Sequence, residues 1–301
     1  MTAEPTVPGP GPGTGLDAGP DPGPEPGTGP AAGTPFRDAI GIEPLGDGRY
    51  RAELGRVWTV GRKAHGGLLL VLLARAGLAR LDAESPGSAP DPLVISAEFL
   101  RAPDTGTVEL HTEVLKPGRT ASVVAVRMRQ GEHLVLSATV TAGRLPDGPA
   151  QWADLPDMPA VPPPDAIDGG AGRERSGLGL ASACDLRFDA PTMAFTRGER
   201  GAPVIRGWVR PRGEEPDTLF ALLAGDILPP TVFNVDGRFG WAPTVQLTAL
   251  LRARPAPGWL RLDSRTTVVA GQWFDEDVTV VDETGRLVCQ ARQIALAPRS
   301  R

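Results

Sequence analysis

The chain has 301 residues, enough for two domains of ordinary size, with a formal net charge of −5 and a pI near 5.4. That balance gives no reason to expect nucleic acid or an anionic lipid surface as a partner. Two distant cysteines, Cys184 and Cys289, and three scattered histidines make no metal-binding spacing, and no apolar run reaches the ~18 residues of a membrane span.

The first 35 residues are mostly Pro, Gly, Thr, Ala and acid, which cannot bury enough apolar surface to offset chain entropy, so a disordered tail is expected over 1–35. The N-terminus lacks the charged start and apolar middle of a signal peptide, and a soluble cytoplasmic protein is the expectation. A first folded block covers about 36–144. Its helix, His65 to Ala79, is apolar nearly all round and should be wrapped by other structure. Alternation over Ala121–Met128 and Leu134–Val140 predicts long strands. The Pro- and Gly-rich stretch over 145–183 is expected to behave like the tail, as a linker without a core of its own, and a second block covers 184–298.

Within the second block, Glu214 to Pro230 predicts a short helix, with Pro216 suited to its first turn and Pro229-Pro230 as its stop. Leu219, Leu222, Leu223 and Asp226 fall on one helical face, so Asp226 points with the leucines toward the core. It also stands near the helix C-terminus, where the dipole disfavours a carboxylate. Burial and dipole both raise such a pKa, which makes a usable base.

The two blocks look like copies. Val94 to Ala102 (VISAEFLRA) matches Val245 to Ala253 (VQLTALLRA), each leading through a Pro/Gly turn to an alternating strand. Gly131 to Val140 similarly matches Thr284 to Gln293. A buried helix wrapped by a curved antiparallel sheet, present twice, is an α+β double hotdog.

Trp58 to Gly67 (WTVGRKAHGG), Phe99 to Pro103 (FLRAP), Pro117 to Ser122 (PGRTAS) and the Ala224-Gly225-Asp226 helix together resemble the acyl-CoA thioesterase II (TesB-like) double-hotdog family. The resemblance implies a hydrolytic water held by an Asp from the second helix and by a Thr and a Gln from the second-repeat strands. Carried over by local sequence, these are Asp226, Thr244 and Gln293.

The residues themselves support two of the three. On the last strand Cys289, Ala291, Gln293 and Ala295 share a face, so small side chains leave room around one long amide. Pro243 delays the strand before Thr244 or permits a bulge, and periodicity does not settle where Thr244 points. In the first repeat Val140 stands opposite Gln293, and Leu72 to Ala76 stand where the second has Asp226, so the polar set occurs once. His65-Gly66-Gly67 is either a tight helix start or a set of backbone N–H groups suited to a thioester oxygen or a phosphate.

The expected activity is hydrolysis of an acyl-CoA, or another acyl-thioester, to free acid and thiol, with no metal or organic cofactor required. A non-catalytic acyl-thioester-binding protein on the same scaffold is the alternative. By analogy with other hotdogs, a homodimer or larger assembly is expected.

Overall fold

The computed structural model describes residues 33–170, 179–237 and 239–298. Residues 1–32 of the expected tail and the Gly-rich run 171–178 lie outside them. Helix α1 (Pro35–Ala39) begins inside the range expected as tail, because Phe36 has a core to enter. Its buried ring meets Trp58 and Phe220 edge-on at 5.9 and 5.1 Å.

Strands β1 (Glu43–Gly46) and β2 (Arg49–Leu54) follow, then a small hairpin of β3 (Thr59–Val60) and β4 (Lys63–Ala64) that delivers the chain to helix α2 (Gly66–Glu84). Every residue from Leu68 to Ala74 is at most 1% exposed. Burying each such Leu or Val contributes about 1.5–3 kcal/mol, so packing, more than propensity, sustains this helix. Its wrapping is supplied by β5 (Asp91–Phe99), β6 (Gly106–Lys116), β7 (Ala121–Gln130) and β8 (His133–Gly143).

The second half contains β9 (Ile167–Asp168), β10 (Cys184–Phe188), β11 (Val204–Pro211), helix α3 (Thr218–Ala224) and the single turn α4 (Phe233–Asp236). It ends with β12 (Thr244–Leu251), β13 (Leu260–Arg265), β14 (Val269–Ala270), β15 (Trp273–Val281) and β16 (Leu287–Leu296). One antiparallel sheet joins the halves. Its central run, β2-β6-β7-β8-β5, continues as β12-β16-β15-β13-β11, the same five-strand order reversed about the β5–β12 contact. The fold is a double hotdog, and buried side chains of both halves form one core.

Ser96 faces Thr248 at the junction, their hydroxyls 2.8 Å apart, with Ile95 opposite Ala249 and Ala97 opposite Leu247 on either side. This register makes Val94 equivalent to Gln246, whereas the sequence match had set it against Val245. The bulges fall at equivalent places, between Pro92 and Val94 on β5 and between Thr244 and Gln246 on β12, and the extra residue lies beyond β5, where Leu100 and Arg101 both donate to the Val135 carbonyl while Arg252 alone donates to that of Val288.

Two further expectations are corrected. The proline-rich connection is ordered over 145–170: Leu145 and Met158 are buried, and β9 adds a strand beside β10. The Trp208 indole and Arg261 donate to the carbonyls of Pro159 and Met158, so prolines that cannot donate still accept. Helix α3 is shorter than expected. Asp217, not Pro216, starts it, its carboxylate accepting the Phe220 N–H at 2.8 Å, and it stops at Ala224, two residues before Asp226.

Candidate active site

Asp226 stands just past the C-terminus of α3, its own N–H closing on the Leu223 carbonyl at 3.1 Å. Leu219, Leu222 and Leu223 are buried as the periodicity requires, and Asp226, at the end of their row, is half-buried. Gly225 makes this possible by lying flat on β16, where an added Cβ would be 3.1 Å from that of Ala291. The small face of Cys289 and Ala291 is thus where the second helix ends.

Across from Asp226 is the first turn of α2, which belongs to the other half. The Gly67 N–H donates to the Asp226 carboxylate. Gly66 lies so near that a Cβ there would meet Asp226 Oδ2 at 2.5 Å. His65 caps the helix, its Nδ1 accepting the Leu68 N–H at 3.3 Å, while its ring also bonds to the backbone of Asp226. Nδ1 is the acceptor, so that second bond runs from Nε2–H to the carbonyl. Complete burial lowers the His65 pKa to about 4, which keeps the ring neutral and this tautomer in place.

These contacts redistribute the roles open to His65-Gly66-Gly67. The His65 ring and the Gly67 amide are both turned to Asp226. Among the first-turn amides, those of Leu68 and Leu69 bond to His65, that of Gly67 is turned to Asp226, and that of Gly66 has no hydrogen-bond partner among the described residues. Burial, first, and then the charge of Glu276 push the Asp226 carboxyl up to about 7, against the lowering effect of the Gly67 amide.

The strand residues complete the arrangement. Gln293 is 8% exposed and faces inward on β16 with Ala291 and Ala295. Thr244 lies opposite Ala295 while Gln246 lies opposite Ile294, so Val245 is the extra residue of the bulge. This turns Thr244 onto the inner face, a question that alternation had left open. Its hydroxyl donates to Gln293 Oε1 at 2.5 Å. Neither Thr244 nor Gln293 hydrogen-bonds Asp226 directly. The group that bonds Gln293 and whose charge acts on Asp226 is a residue absent from the sequence-based set.

That residue is Glu276 on β15, opposite Gln293 and 3% exposed. Gln293 Nε2 donates to its Oε2 at 2.7 Å, and the Thr231 N–H donates to Oε1 at 2.6 Å. Burial is the main cause that raises its pKa to about 7. A signal for it was available: Phe274, Glu276, Val278 and Val280 share one strand phase, and a lone acid in an apolar row is informative.

The comparisons with known proteins agree with this architecture. Residues 54–143 match the model for the acyl-CoA thioesterase N-terminal domain, and residues 153–297 match that for the acyl-CoA thioesterase C-terminal domain. The uncharacterized protein Rv0499 of Mycobacterium tuberculosis is 42% identical over 266 residues, covering 83% of this chain and 91% of its own. A candidate thioesterase II of known structure from Thermobifida fusca is 33% identical, with a TM-score of 0.76 over 88% of this chain and 98% of that one. The tesB protein of Mycobacterium avium subsp. paratuberculosis, at 20% identity, shares the fold with a TM-score of 0.66 over 88% and 98% of the two chains. With both halves matched and a close relative spanning most of its length, the chain belongs to the acyl-CoA thioesterase family, the TesB-like thioester hydrolases built as double hotdogs.

Proposed function

We propose that the protein hydrolyses an acyl-CoA to free acid and CoA, with Asp226 as the general base for an attacking water. The observation that carries this reading is a carboxyl with a pKa of about 7 against the helix start of the first half, raised in part by Glu276, which accepts from Gln293 as Gln293 accepts from Thr244. A base with a pKa near the working pH combines availability with driving force. Because Thr244 gives its hydrogen to Gln293, its oxygen lone pairs can accept a hydrogen from water. The second N–H of Gln293 Nε2, beyond the one given to Glu276, can donate to that water.

The water oxygen bonds to the thioester carbonyl carbon as its proton passes to Asp226. The Gly66 N–H, at the positive end of α2, stabilises the oxyanion. Collapse breaks the carbon–sulfur bond, and the proton on Asp226 leaves with the CoA sulfur. In a thiol-release assay Asp226→Asn should lower kcat/KM by about 10²-fold or more at unchanged thermal stability or better. Wild-type rates from that variant would remove Asp226 from the chemistry. Saturable acyl-CoA binding without thiol release by the wild type would leave a binding protein instead.

A further inference from the structure

We propose that Glu276 is a positioning residue for this reaction, bracing the Asp226 segment and the Gln293 amide against each other from the floor of the second sheet. The inference rests on the reading of Asp226 as base, and extends it to a residue that no motif had marked.

Asp226 and Thr231 bound a short segment, Asp-Ile-Leu-Pro-Pro-Thr, whose two prolines restrict its backbone. Glu276 Oε1 holds the far end of that segment through the Thr231 N–H, and Oε2 holds Gln293 Nε2. One carboxylate therefore spans the two walls of the site. The Thr231 hydroxyl lies 2.6 Å from that of Thr266, which is bonded to the Asp275 carbonyl, so the anchor is itself fixed.

Acceptor and donor identities also set the amide. An ionised carboxylate only accepts, so it selects the NH2 end of Gln293 and leaves Oε1 toward Thr244. Without that choice the amide could turn over, and Thr244 would lose the acceptor for its hydrogen. The donor pattern offered to water would then be scrambled.

The charge has a second effect. Among the described residues, Glu276 is the one charged group that raises the pKa of Asp226, and no lysine or arginine offsets either acid. Other groups facing the pair are few. From α2 comes the neutral His65, and from β16 the buried thiol of Cys289, pushed up to about 12. On β15, Asp275 bonds the Thr267 and Val268 amides, and Asp277 pairs with Arg292 of β16. The first helix of the second half contributes no titratable side chain between Thr218 and Ala224.

The test uses Glu276→Gln and Glu276→Asp in the full chain, read as kcat, KM and the pH profile of kcat/KM. Glu276→Gln removes the charge and offers one oxygen to two donors. It should cut kcat at least tenfold with KM within about threefold, and move the acid limb below its wild-type midpoint by half a pH unit or more. Glu276→Asp keeps the charge but withdraws the reach, so kcat should fall while the acid limb stays. Unchanged kcat and an unmoved limb in Glu276→Gln overturn the proposal, as does a loss of thermal stability alone. If Glu276→Gln does not fold, Glu276→Asp decides, since wild-type kcat there is equally fatal. An inactive Asp226→Asn beside a normal Glu276→Gln refutes only this inference, whereas a fully active Asp226→Asn refutes the proposed base.

Discussion

Replacing Gly66 with alanine isolates the placement of Asp226 from the integrity of the fold. The new Cβ would stand 2.5 Å from Asp226 Oδ2 and 3.4 Å from the Phe99 ring, and ordinary contact begins near 3.4 Å. The ring can stay, but the carboxylate must retreat by close to 1 Å. The backbone does not object: Gly66 is the first residue of α2 and is not in the left-handed region. Alanine is the better helix former there by up to about 1 kcal/mol.

A displacement of that size at a reacting group can cost about 10²-fold. Gly66→Ala should therefore lower kcat by about 10–100-fold in a thiol-release assay at pH 8, where Asp226 is ionised, with a Tm no lower than wild type. Wild-type kcat would refute the idea that this acid must sit against the helix start. At Gly67, by contrast, the added Cβ meets the Leu223 carbonyl oxygen at 2.8 Å, which is backbone and cannot swing aside. Gly67→Ala should accordingly lower Tm by several degrees, at about 1–3 kcal/mol of overpacking, and equal stability of the two variants would contradict this distinction.

The pH dependence follows from the direction of the shift. Asp226 accepts a proton only when ionised, so kcat/KM should rise with pH through about 7 and level above it; a profile flat from pH 5 to 8 would exclude it as the base. Stability runs the other way. The folded pKa lies above the unfolded value of ~3.9, so the folded state binds the extra proton and loses stability as pH rises from about 4 through 7. Asp226→Asn removes that cost, and its Tm gain should be several degrees at pH 8, on the order of 1–3 kcal/mol after allowing for partial solvent access, and shrink toward pH 4. An identical Tm difference at both pH values would count against a carboxyl perturbed by burial. Thr244→Val should lower kcat about tenfold, the scale of one lost hydrogen bond, and Thr244→Ser should restore most of it. Equal activity of the Val and Ser variants would show that the hydroxyl is idle.

What the sequence disclosed depended on whether local periodicity governed the residue. Asp226 was legible because it continues a row of leucines, and Gln293 because its strand face is otherwise small. Thr244 was not, since its direction depends on the Val245 bulge, and a bulge is a matter of pairing between strands. Glu276 was legible in principle from its strand phase, but acids flank it on both sides and hide the alternation. The engagement of His65 and Gly67 with Asp226 was beyond reach, because it depends on which helix end of one half meets which end of the other. The connection over 145–170 misled for a related reason. Proline content predicts missing donors, whereas this segment is held through its carbonyl acceptors and through Met158 and Leu145.

The register also explains why a duplicated scaffold carries its polar groups once. Val140 pairs with Val124 in the first half as Gln293 pairs with Glu276 in the second. Counting from each helix cap, Ala74 corresponds to Asp226. Ala74, Val124 and Val140 are all fully buried and apolar. Val140 presses directly on Gly77, whose Cβ would stand 3.2 Å away, so the first half fills with hydrocarbon the space that the second leaves for an amide. Its helix can then run on to Glu84 where its counterpart stops at Ala224. The division is physical. The long apolar helix presents its first turn, and the truncated one ends in the carboxylate that lies against that turn.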